Sequence, residues 1–310
     1  MFFFHPKRLR LKKFYNWAKS YKALLPERFY DLEFLETFDL SFRGIKSLPT
    51  EIDCMPNLKS LNLSGNELSE LPWGIAQLKE LKSIQISYNR IPDFPNVLCR
   101  LRHLEAIYLD SNLIKKVPPT LHTLTLLREL HLANNKIIEL PSEIGSLSKI
   151  EILDISCNEL TSLTNGIGKL YKLKELKLGL NKFPEKPEVL SKLQPTTQII
   201  EDVTTDYLNS MLMANVKCGH PEQVVRLINF GADINQTYSN ESNTSITSPL
   251  FEATSLEVIK ILLARGADPN LKRQRTDKSA KEGEMETFLT KKHNSEITKY
   301  IKEVFGVVAR

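Results

Sequence analysis

The sequence predicts an α/β solenoid with a parallel sheet, followed by a smaller all-α unit of helical repeats. Three observations predict it. An apolar skeleton returns every 23 residues from Leu35 to Leu173 without an insertion. Within each copy, apolar residues alternate over a short stretch and then yield to an asparagine, as a half-buried strand ending in a bend requires. After Thr205 that period stops, and two copies of Gly-Ala-Asp-x-Asn each follow an apolar helical stretch.

The first unit is best seen at Leu127 to Pro141, where Leu127, Leu130, Leu132, Asn135, Ile137, Leu140 and Pro141 form the skeleton. The same set appears as Leu58, Leu61, Leu63, Asn66, Leu68, Leu71 and Pro72, and again from Leu104 to Pro118. Seven copies start at Leu35, Leu58, Leu81, Leu104, Leu127, Ile150 and Leu173. The spacing L-x-x-L-x-L-x-x-N-x-L resembles the leucine-rich repeat family over about half the chain. A unit of this size cannot bury its own apolar side, so copies must stack, and the resemblance implies a curved solenoid with strands lining the concave side. The asparagines from Asn66 to Asn181 should form a buried ladder that satisfies backbone groups at the bends. The first copy has Arg43 in place of asparagine, a departure expected at an end.

Composition narrows the function classes. Net charge of +5 over 310 residues is too small to argue for nucleic acid. Cys54, Cys99, Cys157 and Cys218 lie far apart, which suits reduced thiols in a cytosolic protein and neither a disulfide framework nor a zinc site. No apolar run reaches membrane-spanning length. No nucleotide loop, metal spacing or nucleophile with a neighbouring base is present, so no enzyme and no cofactor is expected. Bacterial leucine-rich-repeat ubiquitin ligases carry a Cys-x-Asp, and none of the four cysteines has that context.

Residues 1–24 are expected to form a basic helical cap. Seven Lys or Arg residues fall between Lys7 and Lys22, and Leu11, Phe14, Ala18, Tyr21 and Leu25 recur at helical spacing. The stripe can cover the open edge of the first repeat, while the basic face could make weak contact with an anionic membrane surface. Leu25-Pro26-Glu27 resembles the opening of an F-box, but it aligns with Leu48-Pro49 as a partial repeat. The solenoid is assigned to residues 25–195, with Gln198 to Val203 as a connector, and the helical repeats to residues 196–310.

The solvated side of the strands should carry specificity. Its central column reads Asp39, Asn62, Gln85, Tyr108, His131, Asp154, Lys177. Tyr88, Tyr108, His131 and Ile152 fall on successive repeats and are edged by Asp110, Glu129 and Asp154. These seven residues form the expected partner-binding site, because exposed aromatics bury large area at low entropic cost.

In the second half, Gly231-Ala232-Asp233-Ile234-Asn235 and Gly266-Ala267-Asp268-Pro269-Asn270 each follow a helical stretch, and Ser248-Pro249-Leu250 starts another. They resemble ankyrin repeats over about a third of the chain. Glycine suits the left-handed residue after a helix, and aspartate can close the turn. Pro249 to Glu257 is short for the family, Gln236 to Thr247 is a polar insertion, and Thr276 to Ala280 with Ile297 to Val304 suggests a degenerate third repeat. Joining the two repeat types resembles effectors that intracellular bacteria deliver into host cytoplasm, and Glu282, Glu284 and Glu286 near the end resemble type IV secretion signals. The expectation is a monomeric, non-enzymatic scaffold binding a host protein, and not nucleic acid. The alternatives are a eukaryotic signalling scaffold, a ubiquitin-ligase substrate adaptor, or an enzyme with an unrecognised site.

Overall fold

The structure, a computed structural model, describes residues 6–239, 245–275, 285–289, 291 and 293–306. Glu282, Glu284 and the stretch Thr276 to Ala280 lie outside the described residues. The chain divides into two compact units that meet in sequence at Val203 and Thr204.

The first unit opens with α1 (Pro6–Ser20) and continues as eight coils. Each coil contributes one three-residue strand: β1 (Thr37–Asp39), β2 (Ser60–Asn62), β3 (Ser83–Gln85), β4 (Ala106–Tyr108), β5 (Glu129–His131), β6 (Ile152–Asp154), β7 (Glu175–Lys177) and β8 (Gln198–Ile200). They form one parallel sheet in sequence order. The register steps by 23 residues at every pair, from Phe38 opposite Leu61 to Leu176 opposite Ile199. A constant step follows from a constant repeat, since any slip would turn every buried leucine to solvent. The middle residue of each of β2 to β7 is buried with half-buried neighbours or, at Asp154, a buried one. The return half of each coil carries a short 3-10 helix such as Trp73–Gln77 or Asn96–Arg100. Its apolar residues join those of the strands in one core from Leu11 to Leu190.

β8 corrects the sequence reading. Gln198 to Val203 reads as a connector because the asparagine signal fades after Asn181, yet Gln198–Ile200 pairs with β7. The backbone ladder continues where the side-chain signature has stopped.

The asparagines make the same bonds from the second coil to the seventh. Asn112 donates from Nδ2 to the carbonyls of Ile86 and Leu109 at 3.0 and 3.1 Å, while its Oδ1 accepts from the Ile91 N–H at 3.1 Å. Asn89, Asn135 and Asn158 repeat the pattern one coil apart. Each amide therefore ties its own bend to the preceding coil. Asn112→Ala removes one side chain and leaves several buried backbone groups unpaired, at about 1–3 kcal/mol. The expected result is a lower unfolding midpoint with partner binding retained at permissive temperature; an unchanged midpoint would refute the structural role.

The residue before each ladder position is left-handed: Phe42, Gly65, Tyr88, Ser111, Asn134, Cys157 and Leu180 all have φ between 51° and 68°. Outside glycine this conformation costs roughly 1–2 kcal/mol. From Phe42 to Cys157 it persists because the N–H of each donates to the next coil, as from Tyr88 to the Asp110 carbonyl at 2.9 Å and from Ser111 to Ala133 at 2.8 Å.

At the N-terminal edge, Leu11, Phe14 and Ala18 of α1 are fully buried in the solenoid core. Part of the basic face is spent on the first coils, where Lys7 pairs with Glu33, Arg10 with Asp53 and Lys13 with Glu51. Arg43 takes a new role at the ladder position. Its Nη1 donates to the carbonyls of Tyr21 and Lys22 just beyond α1, at 3.0 and 2.5 Å.

The second unit contains α2 (Thr205–Cys218), α3 (Pro221–Asn229), α4 (Pro249–Glu252), α5 (Leu256–Ala264) and α6 (Ser295–Phe305). It is not all-α, which corrects the expected class. β9 (Tyr238–Ser239), β10 (Ser245–Thr247), β11 (Lys272–Arg275) and β12 (Met285–Thr287) form an antiparallel sheet in the order β12-β11-β10-β9. The polar insertion between Gln236 and Thr247 supplies two of these strands, because paired backbone, not apolar periodicity, makes this sheet. Both Gly-Ala-Asp-x-Asn stretches are turns. Gly231 and Gly266 have φ of 100° and 91°, and Asp233 and Asp268 each accept from the N–H two residues on. Asn235 joins the turns, donating to the Gly266 carbonyl and accepting from the Asp268 N–H. α4 is only four residues long, as the short spacing before Glu257 implies.

Candidate functional site

The strand register decides which expected site residues meet. Tyr108 on β4 lies opposite His131 on β5, and His131 lies opposite Asp154 on β6. The Tyr108 and His131 rings stack, with centroids 4.6 Å apart and planes 18° from parallel. Glu129, two residues before His131 and on the same side of β5, accepts the Tyr108 hydroxyl at 2.5 Å. Its carboxylate also lies 3.7 Å from His131 Nε2. Burial and the Glu129 bond push the Tyr108 hydroxyl up to about 12, so it stays a neutral donor. The result is a rigid, partly exposed aromatic pair with a carboxylate at its rim.

Asp110 follows β4 and is fixed by two bonds, accepting from Ser87 Oγ at 3.1 Å and from the Ala133 N–H at 3.0 Å. Burial first, then repulsion from Asp154, raises its carboxyl to about 6, with His131 acting in the opposite direction. An unfolded aspartate titrates near 3.9. The folded protein therefore holds the extra proton between about pH 4 and 6, and stability falls as pH rises through that window. Asp110→Asn should raise the midpoint at pH 7.5 by roughly 2–4 °C, as expected for about 1 kcal/mol. The gain should shrink toward pH 4.5. A variant that melts lower at every pH, by a constant margin, would contradict this.

Asp154 departs from expectation. It is 1% exposed and therefore does not edge a solvated patch. Its Oδ1 accepts from both the N–H and hydroxyl of Ser156, and Lys177 Nζ lies 4.0 Å away. Lys177 also bonds Glu175 at 2.9 Å. Ile152 stands level with Glu129 in the first strand column. Tyr88 lies at the left-handed corner after β3, outside the strand columns. The seven expected residues thus divide into a tight group of Tyr108, His131 and Glu129, a carboxylate pair of half-buried Asp110 and buried Asp154, and two outlying apolar or aromatic side chains. Ser87 and Ser156 are the supporting residues that sequence reasoning missed; small hydroxyl residues in a repeat give no signal until the coils stack.

Among the described residues, no three His, Cys, Asp or Glu side chains converge as metal ligands would, and no helix is long and apolar enough to cross a membrane. Cys54, Cys99 and Cys157 are buried and form no disulfide, and burial pushes the Cys54 thiol up to about 12.

Residues 56–114 and 126–147 match family models described as leucine-rich repeat. The first unit carries leucine-rich repeats. Proteins built on leucine-rich repeats generally mediate protein–protein interaction and are typically non-enzymatic. Solved structures similar to this chain include a leucine-rich-repeat protein of Leptospira interrogans, 30% identical over 55% of each chain with a TM-score of 0.39. Two internalins of Listeria monocytogenes are also similar. One is 21% identical over 54% of each chain with a TM-score of 0.40. The other, internalin C2, is 24% identical over 56% of this chain and 83% of that one, with a TM-score of 0.45. The chain spans about half the length of the first two. No curated protein matches it in sequence.

Proposed function

We propose that this leucine-rich-repeat chain is a non-enzymatic scaffold that captures a protein partner on the strand face, centred on Tyr108 and His131. The carrying observation is their stacked geometry beside Glu129. A partner that buries this pair gains apolar area without having to freeze two mobile rings, and centrally placed aromatics dominate binding energy. Ile152, Tyr88 and Asp110 extend the contact, while Asp154 holds the surface from beneath.

The finer reading is of an effector delivered into a host cell, with the second unit as degenerate ankyrin repeats. Support comes from the two Gly-Ala-Asp-x-Asn turns bridged by Asn235, joined in one chain to leucine-rich repeats. Affinity purification from host-cell lysate tests both levels. Stable partners captured by the parent and lost on Tyr108→Ala with His131→Ala support the scaffold. Cullin or E2 subunits would redirect it to a ubiquitin-ligase adaptor, and covalent ubiquitin conjugates to a ligase. A translocation reporter fused to the chain tests delivery, and its absence from host cytosol would remove the effector reading alone.

A further inference from the structure

The return side of the solenoid carries a groove that the strand-face reading leaves unused. It crosses three successive coils, between the 3-10 helices Trp73–Gln77, Asn96–Arg100 and Pro119–Thr123, and encloses about 850 Å³. Trp73, Lys79, Val97, Arg100, Arg102 and Thr123 are among its lining residues, and none of the lining residues is acidic. Trp73 is 56% exposed, an unusual state for so large an apolar ring. The Arg100 guanidinium sits over its indole at 4.4 Å.

The groove's three cations, Lys79, Arg100 and Arg102, contrast with six others on this unit. Lys59, Lys82, Arg90, Arg128, Lys174 and Lys182 each pair with a carboxylate on a neighbouring coil. Among the described residues Lys79, Arg100 and Arg102 have no such pair, and the Lys79 ammonium donates only to the Ala76 carbonyl. Three uncompensated cations around an exposed tryptophan raise the local positive potential, and a groove with apolar walls concentrates it.

We propose that this groove binds a short acidic protein segment carrying an apolar side chain. Cation–π contact occupies the face of the Arg100 guanidinium and leaves its N–H donors for a carboxylate. Trp73 and Val97 take the apolar side chain, and Lys79 and Arg102 take further carboxylates. Adjacent coils lie roughly 4.8 Å apart, so the three span about 10 Å, which suits about three or four extended residues. A nucleic acid needs a longer basic track. Here the return segments on either side carry acids, Glu51 and Asp53 toward the N-terminus and Glu143 toward the C-terminus.

The test uses the full chain and a fluorescein-labelled octapeptide alternating glutamate with leucine, against a version with lysine for glutamate. Anisotropy should show binding of the acidic peptide only, weakened by raised salt. Arg100→Ala with Arg102→Ala should weaken it at least roughly tenfold, as should Trp73→Ala, because Trp and Arg dominate such contacts. Arg100→Glu with Arg102→Glu should reverse the preference to the lysine peptide, while Tyr108→Ala with His131→Ala should leave it unchanged. Lys79→Glu gives an independent single-site check, and unchanged circular dichroism confirms that each variant is folded. Equal binding of both peptides, or parental affinity in the folded arginine variants, would overturn the proposal. So would phosphatidylserine vesicles binding through these arginines while the acidic peptide does not.

Discussion

A chain lacking residues 1–24 should aggregate or fray at its first coil, and Phe14→Ala alone should lower stability by about 3–5 kcal/mol. Phe14 is fully buried and lies 6.0 Å from the Phe38 ring of β1. Leu11 and Ala18 cover the same edge, and burying a leucine or phenylalanine contributes roughly 1.5–3 kcal/mol each. Deletion also removes the carbonyls of Tyr21 and Lys22 that hold the Arg43 guanidinium. The three ion pairs of α1 add little, since their cations are largely solvated. Thermal unfolding and light scattering of the truncated chain measure the effect. A truncated chain that remains monomeric and equally stable would show that α1 is not structural. If only full-length protein then floated with anionic liposomes, α1 would be a membrane-contact helix.

Tyr108→Ala with His131→Ala should weaken capture of the main partner by about thirtyfold or more, for a loss of about 2 kcal/mol. The two rings rest on each other and on Glu129, so one truncation loosens the other and the pair should behave non-additively. Stability should change much less than for Asn112→Ala, because the middle strand residues Ile107 and Leu130 hold the core and remain in place. Lys169→Ala, on the return side, is the control and should be silent. A partner retained by the double variant and lost by the control would place recognition away from the strand face.

The sequence by itself determined the repeat length, the strand positions and the central column, since one residue pattern fixes one register when a face must be buried. It also marked the bends, because asparagine alone among the repeated residues can bridge carbonyl and N–H groups at once. The left-handed position was hidden. Phe42, Gly65, Tyr88, Ser111, Asn134, Cys157 and Leu180 share no chemistry, and from Phe42 to Cys157 bonds to the following coil hold the conformation. Stacking likewise decided what composition could not: Tyr108 faces His131 because two strands pair, and Asp154 is buried although its column is half exposed elsewhere. β8 formed without its asparagine, and β9 to β12 formed from polar segments, since backbone pairing needs a neighbour and not a signature. Local pattern sets which side chains line a face; only the stacked coils set which of them touch.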